Sequence, residues 1–168
     1  MQRQLAPWQA YRAGHDLADV LVVKAQAGPA ESAGGPPFSG ADGAALTAAL
    51  PTLGWGDHNW CGLLLAPPGQ AVLAPQELRL LLEICDPLLI ITLDAEAREC
   101  VWQALTGDSA GDRSPDLEAD WPYGTEISLL GRQLLALDDF ETALASAPAK
   151  QRVWLQLKKG AVNPLRSQ

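Results

Sequence analysis

Apolar residues occur along the chain in short uninterrupted runs that alternate with stretches of helical periodicity. The runs are DVLVV (residues 19–23), WCGLLL (60–65) and LLIITL (88–93). Runs of this length, without alternation of polar residues, are typical of strands that are buried on both faces. The sequence therefore predicts a parallel sheet whose strands are separated by helices.

Helices are predicted between these strands from leucine spacing and from end signals. Residues 41–53 place leucines at i, i+4 and i+7, and residues 75–85 begin with a proline that suits a first helical turn. Asp94 is a candidate N-cap for a helix through Leu105. A last helix is predicted over residues 148–159, where two terminal lysines complement the helix dipole.

The remaining segments are rich in turn-forming residues. Residues 27–40 contain many glycines and prolines and are predicted to be a loop, and residues 106–120 form a polar, acidic surface loop. Residues 126–130 and 133–137 flank Gly131-Arg132, which predicts a tight hairpin.

Together these elements predict an α/β fold: a three-layer α/β/α sandwich with a central, mainly parallel four-stranded sheet. Residues 19–160 form one domain, preceded by an N-terminal extension (1–18) and followed by a tail (161–168). Such sheets place ligands beyond the carboxyl ends of the strands. Here those ends are the segments after Val23, Leu65, Leu93 and Leu137.

Charge and cysteine usage narrow the class of protein. The net charge is −8, so strong binding to duplex DNA is not expected. No apolar stretch is long enough to span a membrane and the N-terminus has no signal-peptide pattern, so the cytoplasm is the expected location. The three cysteines are widely spaced and form no CxxC pair, so no iron–sulfur cluster, zinc site or other cofactor is expected.

Several ordered segments resemble the family-4-type uracil-DNA glycosylases. They are GPPFSG (35–40), LGW (53–55), APPG (66–69), PQE (75–77), DPLLIITL (86–93) and AKQRVW (149–154). The resemblance covers residues 19–158, and it implies the glycosylase fold and a base-binding pocket at the carboxyl ends of the strands.

The sequence departs from that family where the chemistry would be. Ala25 stands where the family has an acidic residue that orients water, and a methyl group cannot do this work. Cys61 stands at the position of the base-reading asparagine, with Asn59 two residues away as a weak substitute. Residues 137–144 contain no histidine, and Leu65 replaces a cluster cysteine. The resemblance therefore implies a degenerate site without a cluster.

A candidate pocket follows from the predicted strand ends and the resemblance. Phe38 matches the aromatic residue that stacks on the base, although packing under the first helix also explains it. Lys24 is an anion-binding residue or a solvated loop lysine, and Asp94 is a ligand-facing carboxylate or only an N-cap. The pocket candidates are Lys24, Ala25, Phe38, Asn59, Asp94 and Asp138.

Tryptophans suggest an interaction surface. Trp8, Trp55 and Trp121 fall in a terminus or in loops, where exposed aromatic residues often mark protein contacts. A protein partner is therefore plausible.

Three functions remain open. The first is a non-catalytic glycosylase-like protein that acts through protein or small-ligand contacts. The second is a divergent glycosylase with relocated residues such as Asp94 or Asn59. The third is an accessory subunit similar to the psi subunit of the bacterial clamp-loader complex, because residues 144–157 resemble its final segment and residues 1–15 could be a partner-binding arm.

Overall fold

Six strands form one mixed sheet in the computed structural model, which describes residues 6–16, 18–56, 59–107 and 117–161. The strand order is β1-β3-β2-β4-β6-β5. The strands are β1 (Arg12–Gly14), β2 (Val20–Gln26), β3 (Trp60–Ala66), β4 (Leu89–Thr92), β5 (Glu126–Leu129) and β6 (Arg132–Ala136). Most of the predicted 106–120 loop (108–116) and most of the predicted tail (162–168) lie outside the described residues.

The four inner strands of the sheet are parallel, and one antiparallel strand is added at each edge. Strands β3, β2, β4 and β6 pair in parallel, whereas β1 pairs antiparallel with β3 and β5 antiparallel with β6. The predicted number of strands, four, is therefore wrong, because the sheet has six. Strand β1 was not predicted because it is three residues long, is partly exposed and has no apolar run, whereas β5 was predicted only as one arm of the hairpin.

Alternate side chains of the inner strands join two separate hydrophobic clusters, as a strand buried on both faces requires. Leu21 and Val23 belong to one cluster, and Val20 and Val22 belong to the other. The apolar runs in the sequence are thus explained by helices on both sides of the sheet.

Eight helical segments surround the sheet in the described part of the chain. A 3-10 helix covers Ala6–Tyr11. The α-helices are α1 (Pro29–Ser32), α2 (Ala41–Thr52), α3 (Pro75–Cys85), α4 (Ala95–Thr106), α5 (Leu117–Asp120), α6 (Phe140–Ala143) and α7 (Ala147–Gly160). Helices α3 and α4 contribute to the cluster of Leu21, and α2, α6 and α7 contribute to the cluster of Val20. The four long helices confirm the predicted ones within two residues at each end.

The short helix α1 lies within the segment that was predicted to be a loop. Pro29 occupies its first turn, and Glu31 accepts a hydrogen bond from the backbone N–H of Gly28. Proline at the first turn and a carboxylate that caps the helix start are both favourable there. This helix was not predicted because the glycines and prolines around it are typical of a loop.

The hairpin between β5 and β6 turns one residue earlier than predicted. Leu130 (φ 50°) and Gly131 (φ 80°) adopt the left-handed conformation that a two-residue hairpin turn requires. Arg132 is therefore the first residue of β6 rather than part of the turn, and its guanidinium donates to Asp86 at 2.9 Å.

The described part of the predicted N-terminal extension packs on the domain. Residues 12–14 are the edge strand β1, and the Tyr11 hydroxyl donates to the carbonyl of Ala71 at 2.8 Å. Residues 6–16 thus do not form the free partner-binding arm that was considered from sequence. None of the described helices has both the length and the apolar character that crossing a bilayer would need.

Candidate functional site

A crevice of about 400 Å³ opens at the carboxyl ends of β2, β4 and β6. The chain leaves β2 toward β3 on one side and later returns to β4 on the other, so the strand order reverses here. Open α/β sheets bind ligands at such points. The crevice lining is dominated by acids: Asp42, Asp94, Glu96, Asp138, Asp139 and Glu141 face one base, Lys24.

Lys24 is buried in this crevice and its charge is already compensated. Strand β2 continues three residues beyond the predicted end, so Lys24 is a strand residue that is only 3% exposed. Its ammonium donates to Glu31 Oε1 at 2.6 Å and to Asp42 Oδ2 at 2.5 Å. The interpretation of Lys24 as a solvated loop lysine is therefore wrong, and its ammonium is already paired with two carboxylates of the chain itself.

The charges of this cluster are mutually stabilised. Burial alone would lower the pKa of Lys24, but its hydrogen bonds to Asp42 and Glu31 outweigh burial and raise the pKa above its ordinary value. Burial alone would raise the pKa of Glu31, but the hydrogen bond from Lys24 and backbone donors lowers it below its ordinary value. Lys24 and Glu31 therefore stay ionised through the neutral range.

Glu141 is a crevice carboxylate for which burial and neighbouring carboxylates outweigh the attraction of Lys24. Its carboxylate lies against the backbone of Gly28, where any larger side chain would collide with it. Burial raises the pKa of Glu141, and repulsion from Asp42, Glu31 and Asp139 adds to the rise, while Lys24 opposes it. A carboxyl group whose pKa is raised on folding destabilises the fold once it is ionised.

Replacing Glu141 with glutamine is therefore expected to raise the melting temperature at pH 7. A rise of about 1–3 °C would match a partly exposed group in a domain of this size. The raised pKa means that the wild-type carboxyl favours folding only while it is protonated, so the difference should vanish toward pH 3. Thermal unfolding followed by circular dichroism across pH 3–8 measures this; a gain that persists at pH 3 would indicate better packing instead.

Asp94 lies in the crevice, but both of its oxygens are engaged. Oδ1 accepts from the backbone N–H of Ala97 at 2.8 Å, and Oδ2 accepts from the N–H of Ala25 at 2.9 Å. The predicted N-cap is confirmed, and the second bond ties the start of α4 to the end of β2. Ala25 itself is buried and offers only its backbone.

Phe38 is part of the core and does not line the crevice. It is 6% exposed, and its ring meets the edge of Trp60 with centroids 5.6 Å apart. The ring also lies on the glycine of β3, where a Cβ at Gly62 would collide with it. Packing, one of the two interpretations from sequence, thus accounts for Phe38, and the Lys24 ammonium lies 5.0 Å from the centre of its ring.

Asn59 lies at the opposite end of the sheet from the crevice. It precedes β3, its Oδ1 accepts from the N–H of Asp19 at 2.9 Å, and its Nδ2 donates to Asp19 Oδ2 at 2.8 Å. The length of β3 separates it from the carboxyl edge by roughly 20 Å. Asn59 therefore joins the starts of two strands and is not a pocket residue.

Two adjacent acids complete the crevice next to β6. Asp138 is exposed and faces the crevice, as predicted for a pocket residue. Asp139 also lines it, and its Oδ1 accepts from the N–H of Thr142 at 3.4 Å as the N-cap of α6. The structure therefore brings together Lys24, Ala25, Asp94 and Asp138, and leaves Phe38 and Asn59 outside.

Two of the three tryptophans assigned to an interaction surface are in the core. Trp55 is 1% exposed and Trp121 is 0% exposed. Trp8 is half-buried and packs against the cluster of Leu21. The predicted tryptophan surface is therefore wrong, because long-range packing covers loop residues that look exposed in the sequence.

A second cavity was not found by sequence reasoning. It is a groove of about 720 Å³ between α2 and α7, here called the α2–α7 groove. Its lining is mainly apolar: Ala41, Ala45, Ala48, Ala49, Phe140, Leu144, Ala145, Ala147, Lys150, Gln151, Val153, Trp154 and Leu157. The signal that could have revealed it is the outer face of α2, which carries alanines where a surface helix normally has charged residues.

Comparison with protein families and with curated proteins gives no assignment: no family model matches the chain, and no curated protein matches it. Among the described residues, no group of three or more histidine, cysteine or acidic side chains could hold a metal ion. All three cysteines, Cys61, Cys85 and Cys100, are free thiols, and burial raises the pKa of both Cys85 and Cys100 to about 11. Reactive-thiol chemistry thus has no support at these positions.

Proposed function

We propose that this protein is a non-catalytic, glycosylase-like α/β/α protein of the cytoplasm that acts by binding a protein partner. The observation that carries the proposal is the ion-pair cluster of Lys24, Glu31 and Asp42 at the carboxyl end of β2. It occupies the edge of the sheet where a base and its catalytic groups would have to meet. Helices on both faces of the sheet support the three-layer arrangement, and the free thiols suit a reducing compartment.

Electrostatics also disfavour nucleic acid in this crevice. Six lining carboxylates face one lysine that is already paired, so an approaching phosphate would meet repulsion. An oxyanion that developed on a departing base would be destabilised for the same reason. These charges support binding without base excision.

The test is uracil release from uracil-containing single- and double-stranded oligonucleotides by the full chain, next to an active glycosylase. No release above background is expected at any protein concentration. Release that grows with protein concentration and is lost in Asp94→Asn would overturn the proposal in favour of a divergent glycosylase.

The psi-like alternative is favoured by one observation. Leu144, Lys150 and Trp154 lie in the segment that resembles psi, and all three line the α2–α7 groove. Under this alternative the full chain would co-purify with clamp-loader proteins, and Trp154→Ala would weaken that association. Absence of co-purification would exclude it and leave the general proposal of a protein-binding role unchanged.

A further inference from the structure

The α2–α7 groove presents apolar surface that a helix normally hides. Leu46 and Leu50 turn the inner face of α2 to the core, while Ala41 and Ala48 on its outer side are exposed. The one acidic residue of α2, Asp42, is buried in the ion pair with Lys24. Helix α2 is thus apolar on both sides, which is typical of a helix that is covered by something.

The opposite wall of the groove is formed by a basic helix of an acidic protein. Helix α7 carries Lys150, Arg152, Lys158 and Lys159 and no acidic residue. Since the whole chain has a net charge of −8, the rest of it has a net charge of −12. Lys150 lines the groove, and the Lys158 ammonium lies 5.1 Å from the ring centre of Trp154, which also lines it.

We propose that the α2–α7 groove binds an acidic amphipathic helix of a partner protein. Two antiparallel or crossing helices form a trough into which a third helix can lay its apolar stripe, a common mode of peptide recognition. The alanines allow close approach, Trp154 supplies an aromatic contact of the kind that dominates interfaces, and the lysines select acidic flanks. This inference rests on the proposed binding function and specifies its site and partner.

The charge distribution argues against a second copy of the chain as the occupant. A two-fold dimer through this groove would bring α7 of one copy toward α7 of the other. Each helix has four positive charges and no negative charge, so the two would repel across the interface. An acidic partner removes this repulsion and turns the same charges into attraction.

The probe is a fluorescein-labelled synthetic helix of roughly sixteen residues, about the length of α7. Leucines at i, i+4, i+7 and i+11 form its apolar stripe, and glutamates flank the stripe. One control peptide carries lysines instead of the glutamates, and another carries glutamines instead of the leucines. Fluorescence anisotropy with the full wild-type chain is expected to give a dissociation constant in the micromolar range, roughly 1–100 μM, for the glutamate peptide alone.

Matched variants locate the binding. Ala45→Glu places a carboxylate in the groove and is expected to weaken binding at least roughly tenfold, the effect of blocking a central contact. Ala44→Glu makes the same change on the same helix at an exposed residue outside the lining, and binding should stay within about twofold. Lys150→Glu should also weaken binding, whereas Arg79→Glu, an equal charge change on α3 across the sheet, should not.

The outcomes separate this inference from the proposed function. No binding of the glutamate peptide, equal binding of the lysine peptide, or equal loss in Ala44→Glu and Ala45→Glu would overturn the groove inference. Sedimentation that shows a dimer broken by Ala45→Glu would overturn it as well. None of these results would support the hypothesis of base excision, because the uracil-release assay tests that hypothesis separately.

Discussion

Replacing Lys24 with methionine is expected to lower the free energy of unfolding by about 3–5 kcal/mol at pH 7. Methionine fills the space of the lysine stem, but Glu31 and Asp42 would then be buried without a cation. Both carboxylates are about 1% exposed, so water cannot replace the lost partner. Urea denaturation followed by circular dichroism measures the loss.

A triple variant shows whether the destabilisation in Lys24→Met comes from the unpaired charges or from lost packing. Lys24→Met with Glu31→Gln and Asp42→Asn removes all three charges. The asparagine oxygen can still accept from the N–H of Gly43, and the single glutamine oxygen can accept from the N–H of either Gly28 or Phe38 but not of both. The triple variant should recover most of the stability, because removing a whole buried ion cluster is often close to neutral. If the single and triple variants are equally destabilised, packing around the lysine stem is the cause.

The pH dependence of the Lys24→Met defect has a defined sign. The pKa of Glu31 is lowered in the wild type, so its contribution is present above the ordinary value of 4.5 and is lost as pH falls through the lower folded value. In the variant the unpaired carboxylate of Glu31 can be protonated at low pH, and its burial then costs less. The difference between wild type and Lys24→Met should therefore narrow as pH falls below 4.5. The pKa of Lys24 is raised, so its ion pairs persist up to at least 10.5 on the alkaline side.

The parts of the fold that sequence reasoning predicted well are those whose signal is local. The inner strands show uninterrupted apolar runs, and Asp94 precedes a helix at the position where a carboxylate caps it. Strand β2 was predicted too short because Lys24 and Gln26 look like loop residues. Only partners 7 and 18 residues away make a charge acceptable at Lys24.

The parts of the site that were predicted poorly depend on long-range contacts. Asn59 was aligned to a pocket by resemblance, but the pairing of Val20 with Trp60 fixes it at the amino end of β3. Phe38 was matched to a stacking residue, yet this loop residue is held in place by packing on Gly62 of β3. A sequence pattern predicts where a strand lies in the chain. It does not predict which side chains from other parts of the chain meet at each end of that strand.

Charge is segregated between the crevice and the α2–α7 groove, and this supports the proposed binding function over base excision. The crevice at the sheet edge is lined by six acids, and the α2–α7 groove is bordered by the basic helix α7. An anionic substrate or nucleic acid would be repelled from the first, while the second suits an acidic protein segment. The crevice lies where open α/β sheets bind ligands but lacks the electrostatics that base excision needs, and the apolar groove lies elsewhere on the molecule.

Replacing Trp55 with alanine is expected to destabilise the protein by about 3–5 kcal/mol, as for other fully buried large side chains. Trp55 follows α2, is 1% exposed, and packs in the cluster of Val20. Its indole Nε1 donates to the carbonyl of Ala161 at 2.7 Å, a contact 106 residues away in the chain. The substitution would therefore leave a cavity beneath α2 and release the end of α7 from the core. Chemical denaturation monitored by circular dichroism gives the change.

Two further variants test this explanation. Trp55→Phe keeps most of the apolar volume but leaves the Ala161 carbonyl without its donor, so a smaller loss of about 1–3 kcal/mol is expected. Trp8→Ala removes a tryptophan that is only half-buried and should cost clearly less than Trp55→Ala. A Trp55→Ala loss no larger than that of Trp8→Ala would mean that Trp55 is a surface residue, as its loop position in the sequence first indicated. The expected order, Trp55→Ala most costly and Trp8→Ala least, follows because burial and a long-range hydrogen bond set the cost, not the residue type.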